Sequence, residues 1–440
     1  MFKKYNFENE ILNYESYIDE FTPELFEEFN LKAEKLDLMS RINNLIDGEI
    51  VNKTEHQAAF HPKYRKNIQA KKTTNIEKTE FLIPHIKDCI KKGYKEINII
   101  TLGIGGSYEG PKLLLESFNR PLYREFSKIE KTNYDFITGS DPIEFENKIK
   151  FLKPDNTFFI VSSKSFSTDE TIESLKMAFN WSGDKSKFVA ITASPHNAKK
   201  YGINQVIEFD KEIGGRYSIW SPITQYHLSN EDAKNFAMGG NQSDIDIRDS
   251  REYIQFLKVL SFSDIFFNNK GINTRAILSY IWNLRSLPNY FQQLEMESLG
   301  KPANSKSGFK HTGQIIFGGY GPTAQHSYFQ LLHQGTHKVC TDIIVDKENT
   351  RSLSYAQAIT QSKLLSSGAK NLNENEKING NVPVNLFLLK KLNPFTLGYL
   401  IATWEYRTYI TAIMLGINPF DQYGVHAGKN FTREFLKESR

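Results

Sequence analysis

Cysteine is nearly absent from this chain: only Cys89 and Cys340 occur in 440 residues. Two isolated thiols so far apart suggest neither a disulfide framework nor a metal site. Charge of one sign is also missing. Acids and bases interleave to a formal +4, and lysine clusters such as KKGYK and NAKK are short. Without an arginine-rich arm there is no footprint for nucleic acid. No apolar run suits a membrane. The most apolar long segment, TLGYLIATWEYRTYITAIMLGI, carries Glu405 and Arg407 midway, which is costly in lipid, so it reads as a buried helix. The opening MFKKYNFENE has charges throughout and no apolar core. It does not read as a signal peptide, and the cytoplasm is the expected compartment.

Glycine, by contrast, is concentrated. In TLGIGGSYEG, residues 101–110, four glycines follow the apolar run INIITL. Glycine lets backbone amides approach a ligand closely, which suits a phosphate. The dinucleotide fingerprint fails on spacing, because Tyr108 or Ser107 stands where a glycine is required. The triphosphate loop fails because Pro111 takes the lysine's place. A strand, a glycine turn and a serine at a helix start remain. They fit a single phosphate, a sugar hydroxyl, or a tight turn with no ligand.

The length suggests two domains. From about residue 97, apolar strands alternate with helices: INIITLGIG, YDFITG, NTFFIVSS, KFVAIT and QVIEF, then GQIIFGGYGP, TDIIVD and VNLFLLK. Continuous apolar strands separated by helices argue for parallel sheets covered on both faces. The expected fold is therefore α/β, with two doubly wound αβα sandwich domains and helical N-terminal and C-terminal extensions. The boundaries are a helical segment over 1–75, a first domain over 76–235, a helical connector over 236–274 and a second domain over 275–440. AQHSYFQLLHQG is expected to form one helix.

Five further stretches carry polar residues at the carboxyl ends of strands or on helix faces. SSKSFSTDET, 162–171, supplies the hydroxyls of Ser163, Ser165, Ser167 and Thr168 and the charge of Lys164 before a helix start. An ordinary capping box of Ser167 with Glu170 is the competing reading. GGRYS places Arg216 after two glycines, where it stabilises an oxyanion if buried and is a surface turn otherwise. In YFQQLEMESLGK, Gln293 and Glu297 share a helical face while Glu295 points elsewhere. His326 opens a helix just past a glycine turn. Gln422, His426 and Lys429 fall on one stripe near the end of the chain, as a site wall or a solvated face.

Together and in this order, these stretches resemble the phosphoglucose isomerase family. The matching segments are NKTEHQAAFHPKYR, LGIGGSYEGP, SSKSFSTDET, GGRYSIWS, QQLEMESLGK, QHSYFQLLHQGT and NPFDQYGVHAGK, spanning residue 50 to the end. The resemblance implies two sugar-isomerase (SIS) domains and a homodimer whose active site is shared between subunits. It implies reversible conversion of glucose 6-phosphate to fructose 6-phosphate, in glycolysis and gluconeogenesis, with no cofactor and no metal. Glu297 resembles the base that moves the proton between C2 and C1, and Arg216 the group facing the enediolate. His326 and Lys429 resemble the ring-opening pair, with His326 reaching in from the partner subunit and Glu170 orienting it. Gly106, Ser107, Ser163, Lys164, Ser165, Phe166, Ser167 and Thr168 resemble the phosphate and sugar pocket, and Gln293 and Gln422 the remaining sugar contacts. There are departures: His426 stands where the family has glutamate, and His56 and Gln57 fill a slot that has lost an arginine. The turn GGYGPTAQHS also differs from the commoner one.

The residue types suit the reaction. Moving a proton between adjacent carbons calls for a positioned carboxylate. An anionic enediolate calls for a fixed cation and needs no metal. The alternatives are an isomerase of another hexose phosphate, such as mannose 6-phosphate, and a non-catalytic SIS-domain sensor. A sensor would not need Glu297, His326 and Lys429 together.

Overall fold

The computed structural model describes residues 5–67, 73–118 and 128–438, and the side chains of all of these but 67 and 73–80. The chain opens on a hairpin, β1 (Asn6–Glu8) and β2 (Leu12–Tyr17), rather than on helix. In β2, Leu12, Tyr14 and Ser16 are buried while Asn13, Glu15 and Tyr17 are only partly so, the two-residue period of a strand. This corrects the expectation that residues 1–75 are helical throughout. Helices Pro23–Lys35, Leu38–Asp47 and His61–Asn67 follow the hairpin.

The first sheet holds β3 (Glu96–Leu102), β4 (Lys131–Ile137), β5 (Thr157–Ser162), β6 (Phe188–Thr192) and β7 (Gln205–Glu208), in the order β4-β3-β5-β6-β7 and all parallel. Helix α1 (Glu109–Phe118) follows β3, and α2 (Asp169–Ser182) follows β5. Two helices then lead to the second sheet, α3 (Asn230–Asp249) and α4 (Arg251–Asn269). That sheet contains β8 (Thr274–Ser279), β9 (Ile315–Tyr320), β10 (Cys340–Asp346) and β11 (Val384–Leu389), with α5 (Leu287–Leu299) between β8 and β9. Its order is β1-β2-β11-β10-β8-β9. The four strands β8 to β11 are parallel, whereas β2 lies antiparallel to β11 and carries β1 outside it. Thus the sheet is mixed, because its edge is completed by the start of the chain. Tyr14 buries its ring on Phe387 and donates to Asn385 Oδ1 at 2.6 Å. The strand β8, Thr-Arg-Ala-Ile-Leu-Ser, was also not expected; it lies where the sequence reads as polar and helical.

The long apolar segment forms α6 (Pro394–Leu415), buried along almost its whole length against α3, α4 and α5. Among the described residues no helix is long and apolar enough to cross a membrane. The two charges that interrupt α6 are matched inside the protein. Arg407 binds Asp264 at 2.6 and 2.8 Å and Asp342 at 2.8 Å. Arg275 joins the same cluster through Asp264 and Glu295. Burial opposes the Asp264 charge, but Arg275 and Arg407 outweigh it and hold the carboxyl below its ordinary value. Replacing Arg407 by methionine leaves buried carboxylates uncompensated. The expected loss of stability is about 3–5 kcal/mol, read from the denaturant midpoint. A midpoint within experimental scatter of the parent would show that the cluster is not held by this charge.

Candidate active site

Three segments distant in sequence converge at the carboxyl ends of β3 and β5. After β3 the chain turns at Gly105, with φ +58°, into a short 3-10 turn over Gly105–Ser107. A Cβ at Gly106 would lie 1.9 Å from the carbonyl oxygen of Gly215, so only glycine lets this turn lie against the Gly214–Ser218 segment. A Cβ at Gly105 would reach within 3.1 Å of Gln293 Nε2 on α5. Ser107 is half-buried beside them.

After β5 comes the serine-rich loop. Ser163 is buried, with its hydroxyl 3.3 Å from that of Thr168, and Ser167 donates to Ser165 at 2.8 Å. The residue that caps α2 is Thr168, and its side chain makes no capping bond. The capping box of Ser167 with Glu170 is therefore not what this loop forms, and its hydroxyl cluster is not used up by the helix. Phe166 adopts φ +49° and buries its ring below the loop near Tyr201, so it offers a ligand only backbone. Lys164 is half-buried. Burial lowers its pKa, Arg216 nearby lowers it further, and Glu55 opposes both.

Arg216 is buried, 1% exposed. Its Nε donates to Ser298 Oγ at 2.7 Å, and its Nη1 donates to Gln422 Oε1 at 2.9 Å. Nη2 donates to the carbonyl oxygens of Pro419 and Asp421. Nη1 also lies 3.4 Å from Glu297 Oε2, which accepts from Gln293 Nε2 at 3.4 Å. The Glu297 side chain is 30% exposed and lines a cavity of about 700 Å³ with Thr54, Lys301, Gln422 and Tyr423. Glu295, two residues earlier on α5, faces inward to Arg275 and accepts from Trp404 Nε1 at 2.6 Å. A single carboxylate of α5 thus looks into the cavity, opposite a fixed cation.

The sequence profile described as Phosphoglucose isomerase matches residues 17–440. A glucose-6-phosphate isomerase of Legionella pneumophila (strain Lens) is 33% identical over 434 residues, covering 92% of this chain and 85% of its own. One from Sphingopyxis alaskensis is 32% identical over 426 residues, covering 91% and 83%. The chain belongs to the phosphoglucose isomerase family. The crystal structure of a glucose-6-phosphate isomerase from Chlamydia trachomatis superposes with a TM-score of 0.82 at 23% identity, over 99% of this chain and 90% of that one, and shows that the fold is shared.

The other residues that the family resemblance singled out lie on further elements of the chain. His326 is exposed on a turn between two short helices, Gly321–Ala324 and Phe329–Gln334, which replace the single helix expected over 324–335. Among the described residues its imidazole has no hydrogen-bond or ion-pair partner. Glu170 sits in the first turn of α2. Lys429 lies on the exposed helix α7 (His426–Glu438), beyond Gln422.

Residues not singled out in the sequence hold the site in place. Lys301 pairs with Asp421 at 3.0 Å, and Thr54 donates to Asp421 Oδ2 at 2.7 Å, which ties the segment carrying Gln422 to the chain just after α5 and to the N-terminal region. Ser298 is also within hydrogen-bond distance of the Tyr217 hydroxyl at 3.0 Å. A signal existed for Ser298: it lies three residues after Glu295, on the buried face of α5. Tyr217 stacks on His61, which neighbours Glu405. Glu405 accepts from Trp220 Nε1 at 2.8 Å and pairs with Arg65 at 3.1 Å.

Burial pushes the Glu405 carboxyl up to about 7, against the pull of Arg65 and the Trp220 bond. A carboxyl raised in the folded state contributes stability that is complete below its ordinary value of 4.5 and is lost as pH rises through about 7. Glu405→Gln removes that dependence. Between pH 5 and 8 the parent's unfolding free energy should fall by about 2–3 kcal/mol more than the variant's. Parallel pH profiles would remove the basis for this assignment.

Proposed function

We propose that the protein interconverts glucose 6-phosphate and fructose 6-phosphate. The observation that carries this reading is Glu297, facing the cavity and set 3.4 Å from the buried guanidinium of Arg216. The relatives from Legionella pneumophila and Sphingopyxis alaskensis bear the name of that activity.

The phosphate of the substrate is held by the loop of Ser163, Lys164, Ser165, Ser167 and Thr168, whose hydroxyls and free helix-start amides favour an anion. Anchoring one end of a small sugar positions its reacting carbons at the other. Gly106 and Ser107 border this pocket, and Gln293 and Gln422 contact the sugar hydroxyls. Lys429 and His326 open the ring: one delivers a proton to the ring oxygen while the other removes the proton of the C1 hydroxyl. Glu170 orients the imidazole. Glu297 then takes the proton from C2, the hydroxyl proton passes from O2 to O1, and Glu297 returns its proton at C1; the negative charge of the cis-enediolate faces Arg216, whose cation is already fixed by its bonds to Ser298, Gln422 and two carbonyls. No reorganisation of that cation is needed as the charge develops.

His326 is supplied by the partner subunit of a homodimer. In support, it is exposed in one protomer, and among the described residues its imidazole has no hydrogen-bond or ion-pair partner.

A coupled assay with fructose 6-phosphate tests the reaction, with turnover expected to be unchanged by a chelator. Glu297→Gln should retain binding of the sugar phosphate and lower kcat by about 10³-fold or more, with proton exchange at C2 abolished; parent-like exchange would remove Glu297 from the role. Arg216→Ala should lower kcat by about 10²-fold with a smaller change in KM. The opposite split would make Arg216 a ground-state binding group.

A further inference from the structure

Helix α7 carries Lys429, yet none of its residues is buried. At its N-terminal side the chain is gripped, since Arg216 and Lys301 both bind the Pro419–Asp421 segment. Midway along the helix there is a second tie. Arg433 donates from Nε to Asp169 Oδ2 at 2.9 Å and from Nη2 to Asp169 Oδ1 at 3.2 Å. This is a two-point fork, which fixes direction as well as distance.

Both ends of the tie are informative. Asp169 is the first residue of α2 and follows Thr168 of the serine loop directly. Glu170 is next to it and adds to the field that stabilises the Arg433 charge. On α7, Lys429 precedes Arg433 by four residues, so the two share a helical face. A guanidinium anchored at the start of α2 therefore turns the Lys429 side of the helix toward the serine loop. Lys429 has no ion-pair partner of its own among the described residues. The pair also neutralises a carboxylate that would otherwise stand at the mouth of an anion site. Both side chains remain about half exposed, so the tie is weak enough to break and re-form.

We propose that Arg433 is a positioning residue: its ion pair with Asp169 holds Lys429 over the substrate loop and thereby supports ring opening. The inference rests on the isomerase reading above. Ring opening has its own readout, because opening and re-closure exchange the α and β anomers without any proton transfer between carbons.

The full-length protein is assayed with glucose 6-phosphate for isomerisation and, by exchange spectroscopy, for anomer exchange. Arg433→Ala should lower both rates about three- to fivefold, with KM changed less than about twofold. The swapped pair, Arg433→Asp with Asp169→Arg, should recover most of that loss. Added to Lys429→Ala, Arg433→Ala should cost less than about twofold more, because the two act through one group. Parent-like anomer exchange in Arg433→Ala, no recovery in the swap, or full additivity with Lys429→Ala would each overturn the proposal. If the parent itself turns over neither sugar phosphate, it is the isomerase reading that fails. Amide hydrogen exchange then decides the tie alone: residues 426–438 should exchange faster in Arg433→Ala, and unchanged protection would refute it.

Discussion

A guanidinium removed from water must find its partners in the protein. Arg216 finds them on two stretches of chain: Glu297 and Ser298 on α5, and residues 419–422, through the carbonyls of Pro419 and Asp421 and the side-chain amide of Gln422. Those stretches are far from each other and from Arg216 along the chain, so satisfying one cation draws the segment after the first sheet, helix α5 and the C-terminal segment to one point. The cavity lined by Glu297 and Gln422 lies where they meet. Because the cation is constrained by neutral dipoles as well as by Glu297, its place does not depend on that carboxylate alone.

The same helix shows how burial divides roles between like residues. Glu295 and Glu297 are two positions apart and so lie on different faces of α5. One is enclosed with Arg275 and Trp404, where it serves the packing of α6; the other opens on the cavity. The ion clusters around Arg407 and Arg65 are the structural counterpart of the site. They let a helix with two charges in its middle sit inside the protein, since each charge meets oppositely charged or hydrogen-bonding groups rather than apolar surface.

Much of the architecture could be read directly. The apolar runs of β3, β5, β6, β10 and β11 are continuous because both faces of those strands are covered, and that pattern needs no knowledge of neighbours. The hairpin of β1 and β2 was not legible, because its period of two is short and lies among charged residues; it is a strand pair only once β11 offers an edge. The strand β8 was hidden for a similar reason. Arg275 reads as a polar interruption until Asp264, Asp342 and Glu295 surround it. The segment after β9 failed as one helix, the chain turning at residues 325–328 between two short ones.

Sequence alone determined the chemistry available: a glycine turn, a hydroxyl-rich loop, one arginine after paired glycines, and a glutamine and a glutamate on one helical face. Those properties follow from side-chain type and local periodicity, which the chain carries by itself. Tertiary structure decided which of those groups meet. That Arg216 is buried, that it faces Glu297 rather than water, that Ser298 and Asp421 hold it there, and that Arg433 reaches the start of α2 all depend on contacts between residues tens to hundreds of positions apart. Such contacts arise when apolar surfaces are buried together and the polar groups carried in with them must be satisfied, and no local pattern encodes the partner.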